Sequence, residues 1–512
     1  MEPERTTISS PGKVLLAGGY LVLDRAFSGV VVATSSRFYS TVTSLPSPST
    51  SSSSGKAIIS VRAGQFPAKS STWTYSLLLE KEALRLEQNK EDGGKNKFIY
   101  LALFQSLTLA YETLAKTGHN RGQEAAEELI NRLTAHGEGL DIVVLADNDF
   151  YSQREQLSAL SLPTKITSLS SLPPFTHLPR PISQTNKTGL GSSAALVTSL
   201  VASLLVHLKI LDLSHKEANP DKLEKSDDLE TLHSLAQFVH CLAQGKVGSG
   251  FDISSAVFGT HIYRRFSPSL LTSLMDRPID AIPLELSEED TLMDGLAPSQ
   301  WDQDVTSFRL PKGLRLILAD VDAGTDTPSF VGKVLSWRKE NPQQAGNVWA
   351  ELNEANMQLE QSLTGLVNRE GDNGYEKTLE SMGDKHIEDN KSNAMMAALL
   401  YEIRQTLFTI RSLLRKMSEL SGVPIEPPEQ TRLLDACSEL PGVIGGGVPG
   451  AGGYDALYLL VIDTPSVASR VDDLWSGWKE MSVCPLLARQ SDEGLRIEKL
   501  DQVRGLKEAL KR

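Results

Sequence analysis

The chain has 512 residues, 40% hydrophobic and 22% charged, with 51 Lys and Arg against 64 Asp and Glu, a formal net charge of −13. This length leaves room for roughly two to four domains with ample core. The acidic balance argues against nucleic acid or an anionic membrane surface as the main partner, so any anionic ligand would need a local basic patch. Cys241, Cys437 and Cys484 are scattered, odd in number and without CxxC spacing. They support neither a disulfide framework nor a zinc site and point to a reducing compartment. The opening MEPERTTISSPGK lacks an apolar signal core, no run approaches a membrane span, and the closing EALKR is not a peroxisomal address. A cytoplasmic enzyme or binding protein is expected.

In chain order, residues 14–17 and 20–23 are short apolar runs split by Gly18-Gly19, predicting two strands and a turn. Further strands are expected at 29–34, 38–43 and 57–61, with a serine-proline insertion at 45–55. Residues 76–88 read as a helix, 89–97 as a loop and 98–116 as a long amphipathic helix, and 147–181 is mostly connection. A charged loop follows at 212–230, then a helix at 231–244 closed by Gly245 and a second glycine turn, GKVGSGFD, opening a helix at Asp252. Residues 284–304 read as an acidic loop. A new strand at 314–321 places a domain boundary near 310, giving units 1–310 and 311–512. Helices at 346–364, 393–421 and 429–439, a surface loop at 370–391, a strand at 456–462, a helix over 465–481 and a strand at 483–488 complete an α+β reading.

The most informative run is TGLGSSAALVTSL at 188–200. Leu196, Leu200, Leu204, Leu208 and Leu211 form one row at steps of three or four, and Val197, Val201 and Leu205 a second, so the helix is buried over much of its girth. Its first turn carries unpaired N–H groups and the positive dipole end, while glycines let the preceding backbone wrap an anion. The run also fits GxGxxA, with Asp212 near ribose-acid spacing, but that fingerprint needs an apolar strand before the loop, and residues 179–187 are polar and proline-broken. No Walker A ending follows Gly245. A helix start with a glycine turn and no ligand remains an alternative at this point, as does an Asp252 that merely caps its helix.

Three stations stand in order: Ser10-Pro11-Gly12-Lys13, residues 188–195, and 445–454, with GSGFD at Gly248 between the last two. This ordered set resembles the GHMP kinases, and the resemblance spans almost the whole chain. Within that superfamily KTGLGSSA at Lys187, QGKVGSGFD at Gln244, Ala17 to Asp24 in place of a GEH motif, and Tyr263-Arg264-Arg265-Phe266 are similar to the branch acting on phosphomevalonate.

The resemblance implies a two-domain GHMP kinase fold, with an N-terminal domain like ribosomal protein S5 domain 2 and a ferredoxin-like C-terminal domain. It implies transfer of the ATP γ-phosphoryl to phosphomevalonate with Mg2+, by a monomer or homodimer. Lys13 and Asp252 are implied as catalytic. Lys187, Thr188, Gly189, Leu190, Gly191, Ser192, Ser193, Ala194 and Ala195 would form the ATP loop, and Ser193 would be a magnesium ligand. Tyr20, Lys246, Ser249, Gly250, Arg264, Arg265, Gly450, Gly452 and Gly453 would meet the acceptor. Residue chemistry agrees, because phosphoryl transfer is mostly positioning and neutralisation, and Lys13, Lys187, Lys246, Arg264 and Arg265 sit in or beside the glycine stations. Where the mevalonate kinase pattern has a glutamate metal ligand, this chain has Cys241. Adenine contacts are expected from residues 73–110. Another GHMP kinase acting on an alcohol, such as mevalonate kinase, a catalytically silent sensor on the same fold, and a dinucleotide-binding oxidoreductase are the competing readings.

Overall fold

The computed structural model describes residues 4–46, 55–89, 94–117, 122–214, 225–286, 291–321, 327–389, 394–454 and 456–511. Among these, the N-terminal lobe is built on an eleven-stranded sheet and the C-terminal lobe on a four-stranded one. The spine of the first sheet is the long strand Ser28–Leu45. It runs antiparallel to Arg5–Ala17 on one side. On the other it pairs with His261–Arg264 along its first residues and with Gly139–Ala146 along its last. Two expected strands, 29–34 and 38–43, are thus one element. Residues 20–23, expected as a strand, belong instead to the 3-10 turn Gly19–Leu23, because Gly18 at φ 122 breaks the extended path.

The segment expected as a helix at 76–88 is a hairpin of Thr72–Leu79 and Ala83–Gln88. Trp73, Tyr75, Leu77, Leu84 and Leu86 alternate inward, so burial at period two overrides the helix-forming composition of the turn. The helix Gln123–Thr134 and the strand Gly139–Ala146 had no counterpart in the sequence reading. That strand forms the sheet's parallel pairing, with Lys56–Ala63. The expected insertion at 45–55 falls mostly outside the described residues, as do 215–224 of the charged loop expected at 212–230; its last residues instead open the helix Asp227–Gln244, capped by the Ser226 hydroxyl.

On one face of this sheet lie the helices Lys97–Thr117, Ser192–His207, Asp227–Gln244 and Phe251–Phe258. The first is, by length and composition, long and apolar enough to cross a membrane, which the sequence reading did not register. It is packed into the core between its neighbours. Helix Ser192–His207 is buried nearly all round, as its two apolar rows require, each buried Leu or Val being worth ~1.5–3 kcal/mol.

In the second lobe the order is strand Leu314–Val321, a helical excursion, strands Val443–Gly447 and Ala456–Ile462, helix Pro465–Gly477 and strand Val483–Pro485. All pairings are antiparallel, with the first and third strands central, which is the ferredoxin-like arrangement. The excursion contains the long antiparallel partners Pro342–Val367 and Ala394–Ser421. It also contains two helices the sequence reading lacked, Thr327–Glu340 and, inside the expected loop at 370–391, Tyr375–Met382.

The tail then returns to the first sheet. Gln490–Ser491 pairs with Ser28–Leu45, and Arg496–Ile497 lines up with Ser9 and Ile8 on the outer edge of Arg5–Ala17. Polar ties also join the lobes. Arg154 donates to Asp320 at 3.2 Å, Tyr458 Oη to the Leu16 carbonyl at 3.1 Å, and Arg338 to Asp24 at 2.5 Å.

Candidate active site

A cavity of about 740 Å³ opens where the glycine-bearing stretches meet. The first wall is the cradle. Gly189 and Gly191 take φ 77 and 81, and helix Ser192–His207 starts from Gly191 without a side-chain cap, leaving its first amides facing the cavity beside Ser192 and Ser193. A Cβ on Gly191 would lie 3.0 Å from Lys13 Cε, so the loop needs glycine for both its conformation and this approach. Strand Arg5–Ala17 supplies Lys13 at a register irregularity. Its backbone N–H donates to the Leu190 carbonyl at 2.9 Å and its ammonium to the Gly189 carbonyl at 2.8 Å, 5.6 Å from the Phe251 ring centre. Of the expected loop residues, Lys187, Gly189, Gly191, Ser192 and Ser193 line the cavity. Thr188, Leu190, Ala194 and Ala195 are buried behind it, and the Thr188 hydroxyl donates to the Asp149 carbonyl.

The second wall runs from Gln244 to Asp252. Helix Asp227–Gln244 ends at Gly245 (φ 70), and Gly250 (φ 88) turns the chain into helix Phe251–Phe258, putting Asp252 in its first turn. The Asp252 carboxylate accepts from the Ile253 N–H at 3.0 Å and keeps 22% of its side chain exposed to the cavity. Lys246 and Ser249 line this wall. Arg265 reaches it from behind. Its guanidinium donates to the carbonyls of Leu23, Val247 and Gly248 at 2.5, 3.1 and 2.6 Å, and burial holds its pKa below the usual arginine value. Arg264 does not join them: it is exposed, pairs with Asp304 at 3.0 Å and does not line the cavity, because alternation along its strand turns consecutive side chains to opposite faces.

The third wall is the loop after Val443–Gly447. Gly450, Ala451 and Gly452 line the cavity, while Gly453 sits behind them, its N–H donating to the Ile425 carbonyl at 2.8 Å. The Tyr20 hydroxyl donates to the Ala451 carbonyl at 2.7 Å, so this side chain clasps the loop as well as lining the cavity. Val331, Gly332 and Leu335 of helix Thr327–Glu340 complete the lining.

His240 went unnoticed in the sequence. It is 3% exposed, its Nε2 lies 3.0 Å from Ser193 Oγ and 3.2 Å from Gln244 Nε2, and its Nδ1 lies 3.8 Å from Asp252 Oδ2. A lone histidine in an apolar helix ordinarily signals core. The available signal was its placement four residues before Gln244, on the face that meets the cradle. Burial pushes its pKa below the ordinary value, against the pull of Asp252, so the ring is neutral near pH 7.

Among the described residues, the charged groups lining the cavity are Lys13, Lys187, Lys246 and Arg265 against Asp252, four cations to one carboxylate in a chain of net charge −13. Lys187 faces the cavity without an anionic partner among the described residues, and the protein around it lowers its pKa. Such a basin suits polyanions. For a divalent cation the facing donors are hard oxygens, the Ser193 hydroxyl and the Asp252 carboxylate. No cluster of three or more His, Cys, Asp or Glu that could hold a metal occurs among the described residues. That donor set fits Mg2+, which keeps waters and substrate phosphates in its coordination shell. Cys241 is fully buried and accepts a contact from Gln237 Nε2 at 3.2 Å.

Residues 396–476 match the family model described as GHMP kinases C terminal. The chain is 35% identical to a phosphomevalonate kinase of Aspergillus fumigatus over 99% of both chains. It is also 35% identical to a phosphomevalonate kinase of Arabidopsis thaliana, named as peroxisomal, over 96% of both. Among solved structures, Streptococcus pneumoniae phosphomevalonate kinase in complex with phosphomevalonate and AMPPNP superposes with a TM-score of 0.54. At 14% identity, that match covers 95% of this chain and 99% of the other and supports the shared fold.

Proposed function

The chain belongs to the phosphomevalonate kinase family of the GHMP kinases, and from that premise we propose how its residues share the work. The reaction moves the γ-phosphoryl of ATP onto (R)-5-phosphomevalonate, giving (R)-5-diphosphomevalonate and ADP, a step of the mevalonate pathway. An oxygen of the acceptor phosphate bonds to the γ-phosphorus as the bond from that phosphorus to the β–γ bridging oxygen breaks. Both partners are anions, so the chief obstacle is their repulsion. The observation that carries the assignment of roles is the convergence of Lys13, Lys187, Lys246 and Arg265 on one cavity.

The uncapped amides after Gly191 receive ATP phosphates. Lys13, resting on the Gly189 carbonyl at the cradle lip, accompanies the γ-phosphoryl. Lys246 and the Arg265-braced turn at Val247 and Gly248 face the acceptor's phosphate and carboxylate, while Lys187 stands with the ATP phosphates. Ser193 would hold Mg2+, which when bound with ATP neutralises charge on the β- and γ-oxygens. Asp252 orients the lysines and the acceptor. A phosphate monoester has a second pKa of about 6 and arrives near pH 7 with little proton left to remove. Tyr20 and the Gly450–Gly452 loop close the acceptor side.

Beside the cradle helix, Phe66, Trp73, Ile99, Tyr151 and Leu196 enclose only about 10 Å³, too little for an adenine ring, so these residues pack as core. The three free, buried cysteines support a reducing compartment, and the cytoplasm is our reading of it.

The test is ADP release by the full chain with ATP and Mg2+, offered phosphomevalonate and mevalonate in parallel. Turnover with phosphomevalonate alone is expected. Turnover with mevalonate instead would move the acceptor to the alcohol, and silence with intact ATP binding would leave a sensor.

A further inference from the structure

His240 lies between the two halves of the site. Its ring stands one turn before the end of helix Asp227–Gln244, against Phe98 at 5.9 Å between ring centres, and Nε2 faces both Ser193 Oγ and Gln244 Nε2. Nδ1 faces the Asp252 carboxylate, which only accepts, so the ring proton belongs on Nδ1 and Nε2 is the acceptor. Nδ1 points toward Asp252 Oδ2 at 3.8 Å, beyond a hydrogen bond but within electrostatic contact, and has no nearer partner among the described residues. Nε2 has one lone pair, and Ser193 Oγ at 3.0 Å is nearer to it than the Gln244 amide at 3.2 Å, so the Ser193 hydroxyl gives its proton to His240 and both oxygen lone pairs are left for the cavity.

We infer that His240 is a positioning residue that fixes the Ser193 hydroxyl with its lone pairs toward the nucleotide's cation and steadies Asp252 across the cleft. One neutral imidazole thereby serves both sides of the reaction without adding negative charge to a basin that must hold two polyanions. Such outer partners of metal-facing groups are typically worth about 10–100-fold in metal affinity or activity. The inference rests on the reading of Ser193 as a ligand of Mg2+.

The experiment is calorimetric titration of ATP into the full chain with and without Mg2+. The ratio of the two dissociation constants reports the metal coupling, and steady-state kcat and KM for phosphomevalonate are measured alongside. His240→Ala should lower that ratio by about 10–100-fold while leaving metal-free ATP binding unchanged. The two amide variants should split. In His240→Gln the amide oxygen takes the place of Nε2, accepts from Ser193 and preserves the coupling, while kinetics with phosphomevalonate suffer. In His240→Asn the amide nitrogen takes the place of Nδ1, preserves the acceptor KM and loses the coupling. Equal behaviour of the two amide variants, or an unchanged ratio in His240→Ala, would overturn the inference. Equal loss of ATP binding with and without metal in all three would show a merely structural histidine and overturn it too. If His240→Ala does not fold, the Gln and Asn pair decides alone. Ser193→Ala is run in parallel: an unchanged ratio there sinks the metal reading of Ser193, and a reduced ratio there with a wild-type ratio in His240→Ala sinks only the role of His240.

Discussion

Two glycines five residues apart provide a controlled test of the turn that presents Asp252. Gly245 and Gly250 both sit in the left-handed region, at φ 70 and 88. A Cβ on Gly245 would meet nothing within 4 Å among the described residues. On Gly250 it would lie 2.5 Å from Tyr263 Oη, 2.8 Å from Gln237 Oε1 and 2.9 Å from the Phe266 ring. These neighbours cannot yield cheaply: Tyr263 and Phe266 are 0% exposed, and the Tyr263 hydroxyl is committed to the Ser249 carbonyl at 2.9 Å. Left-handed strain costs about 1–2 kcal/mol in either alanine variant. Forced repacking adds about 1–3 kcal/mol at Gly250 alone, so Gly250→Ala should lose about 2–5 kcal/mol in total. Urea titrations followed by tryptophan fluorescence give the two losses from the shifts in midpoint. Gly250→Ala should also lower kcat/KM by displacing Asp252. Losses equal to within about 0.5 kcal/mol would refute the idea that packing behind this turn sets the position of the carboxylate.

Asp252→Asn should lose about 10–100-fold in kcat/KM, because it removes orientation, whereas loss of a true general base typically costs 10²–10⁴-fold. Its acid limb should stay near the acceptor phosphate pKa of about 6, and a shifted limb would restore the base. Tyr20→Phe removes the hydroxyl that holds the Ala451 carbonyl, at a cost of about 0.5–1.5 kcal/mol. Hydrogen exchange at residues 448–454 should accelerate, and unchanged protection would show that the clasp does not hold the loop. Burial, with the Asp149 charge adding to it, pushes the Asp147 pKa up to about 7, above the 3.8 of the unfolded chain. Between those values the native state keeps a proton that the unfolded chain has shed, so this group makes stability fall as pH rises from about 4 to about 7. Asp147→Asn should flatten that slope in melting temperatures taken across this range. An unaltered slope would assign it to other groups.

The cradle was legible because its signals were local: two glycines, a serine pair and two apolar rows fix the loop, the helix start and the buried girth without reference to the rest of the chain. Lys13 and Asp252 came from the family resemblance instead, and both line the cavity. Residues 76–88 were not, because the turn at Glu80–Glu82 closes with a Glu80 N–H to Ala83 carbonyl bond and no Gly, Asn or Pro, while its Glu, Lys and Ala favour a helix. Strand Gly139–Ala146 is buried on both faces, so it shows no alternation and nothing separates it locally from a core helix. Arg264 and Arg265 looked equivalent as a dipeptide, and only the direction of their strand separates a surface ion pair from a brace beneath the cavity. His240 draws its meaning from Ser193, 47 positions away, a distance at which pattern carries no geometry.

The return of the tail to the first sheet also bears on how the molecule is made. Ile8 and Ile497 are neighbours in the finished sheet but 489 positions apart on the chain. At ribosomal speeds of about 5–20 residues per second, roughly 25–100 s separate their synthesis. Throughout that interval the outer margin of strand Arg5–Ala17, the strand that carries Lys13, has open backbone groups that a second nascent chain could pair with. Pairing of Arg496–Ile497 with Ser9 and Ile8 covers that margin, so the edge beside Lys13 is completed by residues from the far end of the fold.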